Sequence, residues 1–119
     1  MLTCRLTRAL SRFLVGLVVL GAATFATAAT AELKVALLTP GPVSDDGWNA
    51  SAYEGLELIK EELGAQVAHR ESRNQGEFRQ DFRDYARRGY NLIFAHGYEF
   101  STHARDIAAT FPNTYFVTT

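Results

Sequence analysis

The sequence predicts an α/β fold in which parallel strands alternate with helices. Short apolar runs typical of buried strands recur between stretches that have the periodicity of amphipathic helices. The links between them are short, so each strand–helix–strand unit should close as a right-handed crossover. We expect four parallel strands in the order 2-1-3-4 with helices on both faces. This arrangement is a three-layer, Rossmann-like (flavodoxin-like) sheet.

The first strand is predicted at residues 33–38, which are apolar except for Lys34. A continuous apolar run is typical of a strand that is covered on both faces. A loop containing Pro40, Gly41 and Pro42 follows, and a helix then begins. One apolar stripe at spacings of three and four residues predicts that helix, and Gly64 ends it. The stripe consists of Trp48, Ala52, Leu56, Ile59 and Leu63.

The later elements continue the alternation, with strands predicted at residues 65–69, 90–95 and 114–118. The second helix ends at Gly89, and the third is closed by Pro112. The stripe of the second helix is Phe78, Phe82, Tyr85 and Ala86, and that of the third is Ala104, Ile107, Ala108 and Phe111. Charges alternate in sign on the second helix, which predicts a solvated face. They are Arg79, Arg83, Arg87 and Arg88, interleaved with Asp81 and Asp84.

Residues 1–31 have the features of a secretory signal peptide. Three arginines and no acid precede an almost wholly apolar run at residues 13–26, and small residues end at Ala31. The alternative is a transmembrane anchor, but this run is shorter than the roughly 20 apolar residues that a span needs. We favour cleavage after Ala31, with Ala28 as second choice. Residues 32–119 are then the folded part.

The single cysteine, Cys4, precedes the apolar run, so it is not the cleavage-site cysteine of a lipoprotein. The exported part then has no cysteine for a disulfide, a thiol nucleophile or a thiolate metal site. Removing residues 1–31 leaves 9 basic and 13 acidic residues, a net charge of −4. An acidic chain without basic clusters argues against nucleic acid as a partner.

In a sheet of order 2-1-3-4, the topological switch lies between the first and third strands. Ligands of open α/β sheets bind beyond the carboxyl ends of the strands at such a point. Two loops should face this crevice, at residues 39–48 and 96–100. The candidate site therefore combines these two loops.

Each polar or aromatic group in the first loop has two readings. Asp45 and Asp46 fit the N-terminus of a helix, where aspartate is a favoured cap, and capping is expected for at least one of them. Two carboxylates would repel a phosphate, so neutral ligands rich in hydroxyl or amino groups fit better. Trp48 is either ordinary core or a ring facing the crevice, and Asn49 bonds either the loop or a ligand.

Catalysis has no support in the sequence. His96, Glu99 and His103 do not have the spacing of a known metal site. A G-x-S-x-G nucleophile elbow is absent, and GPVSDDG matches neither a dinucleotide nor a P-loop fingerprint. We therefore predict a binding protein without cofactor or metal.

Two segments resemble the basic membrane protein (BMP) family of ABC-transporter substrate-binding proteins. They are KVALLTPGPVSDDGWNASAYEGL and GYEFSTHARDIAATFPNTYFV, at residues 34–56 and 97–117. The family consists of type I periplasmic binding proteins, and its characterised branch binds purine nucleosides. The resemblance implies that residues 32–119 are an incomplete N-terminal lobe of a two-lobed protein.

The resemblance also implies ligand-binding residues, because SDDGWN matches the family's N-D-x-S-[FW]-N-like turn and Gly97-Tyr98 matches the family's second loop lining the cleft. The implied residues are Ser44, Asp45, Trp48, Asn49, Gly97 and Tyr98. Asp45 would hydrogen-bond the ligand, and Trp48 would stack on a base. Ser44 stands where the family often has asparagine.

The expected function is capture of a purine nucleoside, a purine base or a related small solute in the periplasm. The expected partner is an ABC permease in the inner membrane. The alternative is an extracytoplasmic module that senses a ligand for a signalling system, and an enzyme is disfavoured. With one lobe only, we expect the 119-residue chain to bind its ligand weakly if at all.

Overall fold

A computed structural model describes residues 31–119, so the predicted signal peptide lies outside the described residues except for Ala31. Four strands alternate with three helices and one short 3-10 turn in this part of the chain. The elements are β1 (Lys34–Thr39), α1 (Trp48–Leu63), β2 (Gln66–Glu71), α2 (Gln75–Arg87), β3 (Leu92–Ala95), the 3-10 turn (Tyr98–Phe100), α3 (Ser101–Ala108) and β4 (Tyr115–Thr118). The strand bounds differ from the predicted ones by one or two residues, and the element order is as predicted.

The strands form one parallel sheet in the order β2-β1-β3-β4, which confirms the predicted topology. In register, Val35 of β1 lies between Val67 of β2 and Leu92 of β3. The central strand β1 is buried along nearly its whole length, as its apolar run predicted. The carboxyl ends of β1 and β3 therefore lie side by side.

One face of the sheet is covered by α2 and α3. The predicted stripe of α2 is fully confirmed, since Phe78, Phe82, Tyr85 and Ala86 are all buried. Phe82 packs edge-on against Phe100 and Phe116, with ring centroids 6.1 Å and 5.6 Å apart. Because edge-to-face pairs add to the burial of large rings, this face is the main core of the domain.

The prediction that the charged residues of α2 form a solvated face was wrong at one position. Asp81 is only 3% exposed, and it accepts hydrogen bonds from Ser72 Oγ and, at 2.7 Å, from Arg70 Nη1. Asp81 lies three residues after Phe78, so helical geometry turns it inward with the apolar stripe. The buried carboxylate ties α2 to the end of β2.

Among residues 31–119, α1 is the one helix that lies on the other face. Leu56 packs there with Val35, Leu37 and Ala65, but the ends of the α1 stripe are not buried. Beside α1 lies an open apolar groove of about 430 Å³ over β1 and β3. None of the helices in residues 31–119 combines the length and apolar composition that a membrane crossing requires.

Candidate functional site

The two predicted crevice loops are in direct contact. The Trp48 indole, at the start of α1, stacks on the His96 imidazole that follows β3, with ring centroids 3.6 Å apart and planes inclined by 30°. The backbone N–H of His96 donates to Leu38 O at 2.8 Å, so His96 continues the β1–β3 pairing beyond the strand. The prediction that the two loops are neighbours is confirmed, and that they line a ligand crevice stays a prediction.

The first loop is fixed at its origin by a buried hydroxyl. Thr39 Oγ1 donates to Gly41 O at 2.7 Å and lies 2.9 Å from His69 Nε2. Because the hydroxyl has a single hydrogen, His69 Nε2 must be the donor to Thr39 Oγ1. Burial lowers the pKa of His69, while nearby Glu71 opposes that shift. The neutral Nε2–H form of His69 thus anchors the loop to β2.

The Asp45 carboxylate caps α1, as predicted for one of the two aspartates. Its Oδ1 accepts from the backbone N–H groups of Gly47 and Ala50, and its Oδ2 accepts from Asn49 N and Asn49 Nδ2, at 2.9–3.1 Å. The bonds from Asn49 N and Ala50 N contribute most to lowering the pKa of Asp45. All four acceptor positions of the carboxylate are occupied by the protein. A ligand hydrogen bond to Asp45 stays a prediction, and it requires the ligand to replace one of these donors.

Asn49 lies beneath the loop rather than on its surface. The residue is 8% exposed, and Asn49 Nδ2 lies 3.2 Å from the point where a Cβ on Gly41 would stand. Asn49 Oδ1 is buried without a hydrogen-bond partner among the described residues. Its side chain therefore supports the loop, and a contact with ligand stays a prediction.

Trp48 is 53% exposed, so the alternative that it is ordinary core was wrong. The physical reason is that α1 is the only helix on its face in the described part of the chain. At the loop–helix junction, the ring reaches the crevice instead of the sheet. A half-exposed indole can stack on a flat ligand.

The second loop contributes Gly97 and Tyr98. Gly97 has a φ of +148°, a conformation that favours glycine, and a Cβ there would also displace the flexible end of the Glu99 side chain. Tyr98 is 85% exposed at the rim, and Ser44 is exposed on the first loop. The six predicted site residues thus lie in or next to the two loops that meet at Trp48 and His96, and Asp45 and Asn49 already bond each other. Their contact with a ligand stays a prediction.

His96 is a site residue that the sequence did not predict, beyond its place in the second loop and its lack of metal-site spacing. Its position after β3, in a sheet of order 2-1-3-4, was the available signal that it would face the loop after β1. Among residues 31–119, no three His, Cys, Asp or Glu side chains come together as metal ligands would. The crevice offers an aromatic surface, hydroxyl groups and carboxylates, which are the groups of a non-covalent binding site.

Comparison with protein families gives a match to the Bmp model, described as "ABC transporter substrate-binding protein PnrA-like", over residues 32–119. Basic membrane protein A1 of Borrelia garinii subsp. bavariensis is 32% identical over 79 residues, which cover 66% of this chain and 23% of that protein. Transcriptional activator protein med of Bacillus subtilis is 27% identical over 85 residues, which cover 71% of this chain and 27% of that protein. The chain therefore spans about a quarter of the length of these relatives.

Solved structures to which this chain is similar include another ABC transporter solute-binding protein and another transcriptional activator. An ABC transporter solute-binding protein from Conexibacter woesei has a TM-score of 0.66 at 32% identity, covering 71% of this chain and 28% of its own. A transcriptional activator of the comK gene from Bacillus halodurans has a TM-score of 0.63 at 34% identity. The match covers 71% of this chain and 29% of that protein. With the family model matching nearly all of the described residues, the chain belongs to the Bmp family of PnrA-like ABC transporter substrate-binding proteins.

Proposed function

We propose that this chain supplies the ligand-facing crevice of an exported solute-binding protein. The ligand is a purine nucleoside, a purine base or a related small solute, and it is captured without chemical change. The observation that carries the proposal is the half-exposed Trp48 ring, held where the loops after β1 and β3 meet. This ring is the largest aromatic surface in the crevice.

The charge of the crevice supports a neutral ligand. Asp45 and Asp46 lie in the first loop and Glu99 in the second, and neither loop contains arginine or lysine. The two arginines near the end of the neighbouring β2, Arg70 and Arg73, are ion-paired with Asp81 and Glu71. The carboxylates would repel a phosphate, the usual ligand of a helix N-terminus. Carboxylates accept hydrogen bonds from the hydroxyl and amino groups of a nucleoside, and Asp45 would do so by exchanging one of its present donors.

The aromatic surface supports a flat ligand. Stacking of a base on an aromatic side chain contributes about 1–3 kcal/mol. That range alone corresponds to a dissociation constant weaker than about 1 mM. The rest of a useful affinity has to come from other contacts, and we propose that a second lobe closes over the crevice by hinge motion.

Export and a membrane partner complete the proposal. The signal peptide at residues 1–31 would deliver the protein to the periplasm, with cleavage after Ala31 and no lipid anchor at Cys4. An ABC permease in the inner membrane would receive the solute. The family supports the general type of partner, and the nucleoside is the ligand that the resemblance to the family's characterised branch implies.

Saturation-transfer NMR on the 119-residue chain tests the proposal, because the method detects weak binding. The ligands are adenosine, guanosine, adenine, ribose and glucose, each tested with the unaltered chain and with Trp48→Ala. We expect transfer to the purine protons of the first three compounds and a loss of that transfer in the variant. Equal signals from ribose and glucose, or signals that survive Trp48→Ala, would refute capture on the ring.

A second function is favoured by a specific observation. Two of the proteins to which the chain is similar are described as transcriptional activators, from Bacillus subtilis and Bacillus halodurans. The same crevice would then sense a ligand for a signalling system rather than deliver it to a permease. Deleting the gene separates the two functions: a transport defect in uptake of labelled adenosine supports delivery, whereas unchanged uptake with altered transcription supports sensing.

A further inference from the structure

We propose that His96 is a positioning residue that holds the Trp48 indole as a one-sided platform for the ligand. This inference rests on the proposed function, because the platform has a purpose only if a flat ligand is captured. His96 would cover one face of the indole and leave the opposite face to the ligand. The geometry around His96 carries the proposal.

Two hydrogen bonds fix the imidazole. His96 Nε2 lies 3.1 Å from Trp48 O, and His96 Nδ1 lies 3.1 Å from Thr119 Oγ1. A carbonyl oxygen only accepts, so Nε2 carries a hydrogen and donates to it. In the neutral ring, Nδ1 then accepts from the hydroxyl of Thr119. Both ring nitrogens are engaged, and the ring plane is set without a ligand.

The same imidazole contacts residues from two other segments at the carboxyl end of the sheet. His96 follows β3, Trp48 begins α1 and Thr119 follows β4. Backbone bonds hold His96 itself, through its N–H to Leu38 O, and Thr119, through its N–H to Ala95 O at 3.4 Å. The indole is thus placed against a ring whose own backbone is part of the sheet.

The contact between the rings is close enough to restrict the indole. The centroid distance of 3.6 Å and the angle of 30° describe a stacked pair. With one face of the indole taken, a ligand ring has one place to stack, and less rotamer freedom is lost when it binds. An exposed tryptophan without this neighbour would have to be ordered at the moment of binding.

Acrylamide quenching of the ligand-free chain tests the restraint directly, because Trp48 is the single tryptophan. Four variants separate stacking from hydrogen bonding: His96→Ala removes both, His96→Phe keeps only stacking, Thr119→Val removes one hydrogen bond, and Asn113→Ala is an exposed control at the opposite edge of the sheet. We expect quenching to rise most in His96→Ala, to rise less in His96→Phe and Thr119→Val, which keep a stacked ring but lose hydrogen bonds, and to stay unchanged in Asn113→Ala. Unchanged quenching in His96→Ala would overturn the inference.

Adenosine binding, measured by NMR titration, tests the consequence. An aromatic pair of this kind corresponds to about a two- to tenfold change in an equilibrium constant. We expect His96→Ala to weaken adenosine binding by that factor and His96→Phe to restore it. Tighter binding by His96→Ala would overturn the inference, because it would show that His96 occupies the place of the ligand. Because one lobe alone is expected to bind weakly if at all, absence of purine binding by the unaltered chain bears on the proposed function only, and the quenching result by itself decides whether His96 restrains the ring.

Discussion

The two faces of the sheet differ in how completely they are covered. On one face, α2 and α3 bury a continuous aromatic core that includes Phe82 and Phe100, both fully inaccessible to solvent. On the other face, α1 covers β1 and β2, while an open groove remains over β3. The residues that we connect with ligand capture, Trp48 and His96, border that groove.

This difference separates the residues that stabilise the domain from the residues that serve the crevice. Apolar stripes on α1 and α2 look alike in the sequence, but only the stripe of α2 is buried throughout. Trp48 and Leu63, at the two ends of the α1 stripe, are 53% and 65% exposed. We therefore expect substitutions in the α2 stripe to change stability and substitutions of Trp48, at the exposed end of the α1 stripe, to change binding.

The largest expected effect is that of Phe82→Ala. Removing a fully buried phenyl ring leaves a cavity, and such changes cost about 3–5 kcal/mol of unfolding free energy. Leu63→Ala is the matched change on α1, and there we expect less than about 0.5 kcal/mol because the side chain is exposed. Urea unfolding followed by circular dichroism measures both. Similar losses for the two variants would remove the contrast between the faces.

A smaller effect is expected for Asp81→Ala, which tests the buried polar tie on the α2 side. The change leaves Ser72 Oγ buried without its acceptor, at a cost of about 1–3 kcal/mol. Adding Ser72→Ala to it should recover part of that loss, since both partners are then gone. Asp84→Ala serves as control, because Asp84 lies three residues after Asp81 on the same helix and is partly exposed. If Asp81→Ala and Asp84→Ala lower the urea midpoint equally, the buried contact has no special role.

The pH dependence of stability tests the anchor of the first loop. Burial lowers the pKa of His69 below the ordinary value of 6.5, so the folded state resists protonation. The contribution of His69 to the free energy of unfolding is complete above pH 6.5. It is lost as the pH falls from 6.5 through the lowered pKa of the folded state. We expect the urea midpoint of the unaltered chain to fall more steeply with acid than that of His69→Gln. Parallel pH profiles would contradict this role for His69.

The smallest effect is expected at the start of α1. Asp45→Asn exchanges one acceptor oxygen for an NH₂ group and so disrupts part of the cap, whereas Asp46→Asn leaves the cap untouched. Hydrogen exchange should quicken at the amides of Gly47, Asn49 and Ala50 in the first variant only. Equal exchange in the two variants would show that Asp45 does not cap the helix.

Much of this contrast could be predicted from the sequence, and part of it could not. Strand–helix alternation predicted the sheet and its order, and helical periodicity predicted the buried stripe of α2. Periodicity could not predict that the Trp48 end of the α1 stripe is exposed, because exposure depends on whether another helix covers that face. Nor could it predict that Asp81 is buried with Ser72, since that pair depends on how α2 meets the end of β2.

At the candidate site, the loops and their meeting point were predictable from strand order. The pairing of Trp48 with His96 was not, because it depends on side-chain orientation across two loops. Asp45 illustrates the same limit, since both capping and ligand binding fit its position in the sequence. The structure shows the capping bonds, and the ligand contact stays a prediction.

The central claim is that the Trp48 ring receives a purine, and its own fluorescence tests this most directly. Adenosine and, separately, ribose are titrated into the chain while the emission of Trp48 is recorded with correction for ligand absorbance. We predict a saturable change in emission with adenosine and none with ribose. Adenosine that binds, as seen by NMR, without any change in the emission of Trp48 would contradict the claim.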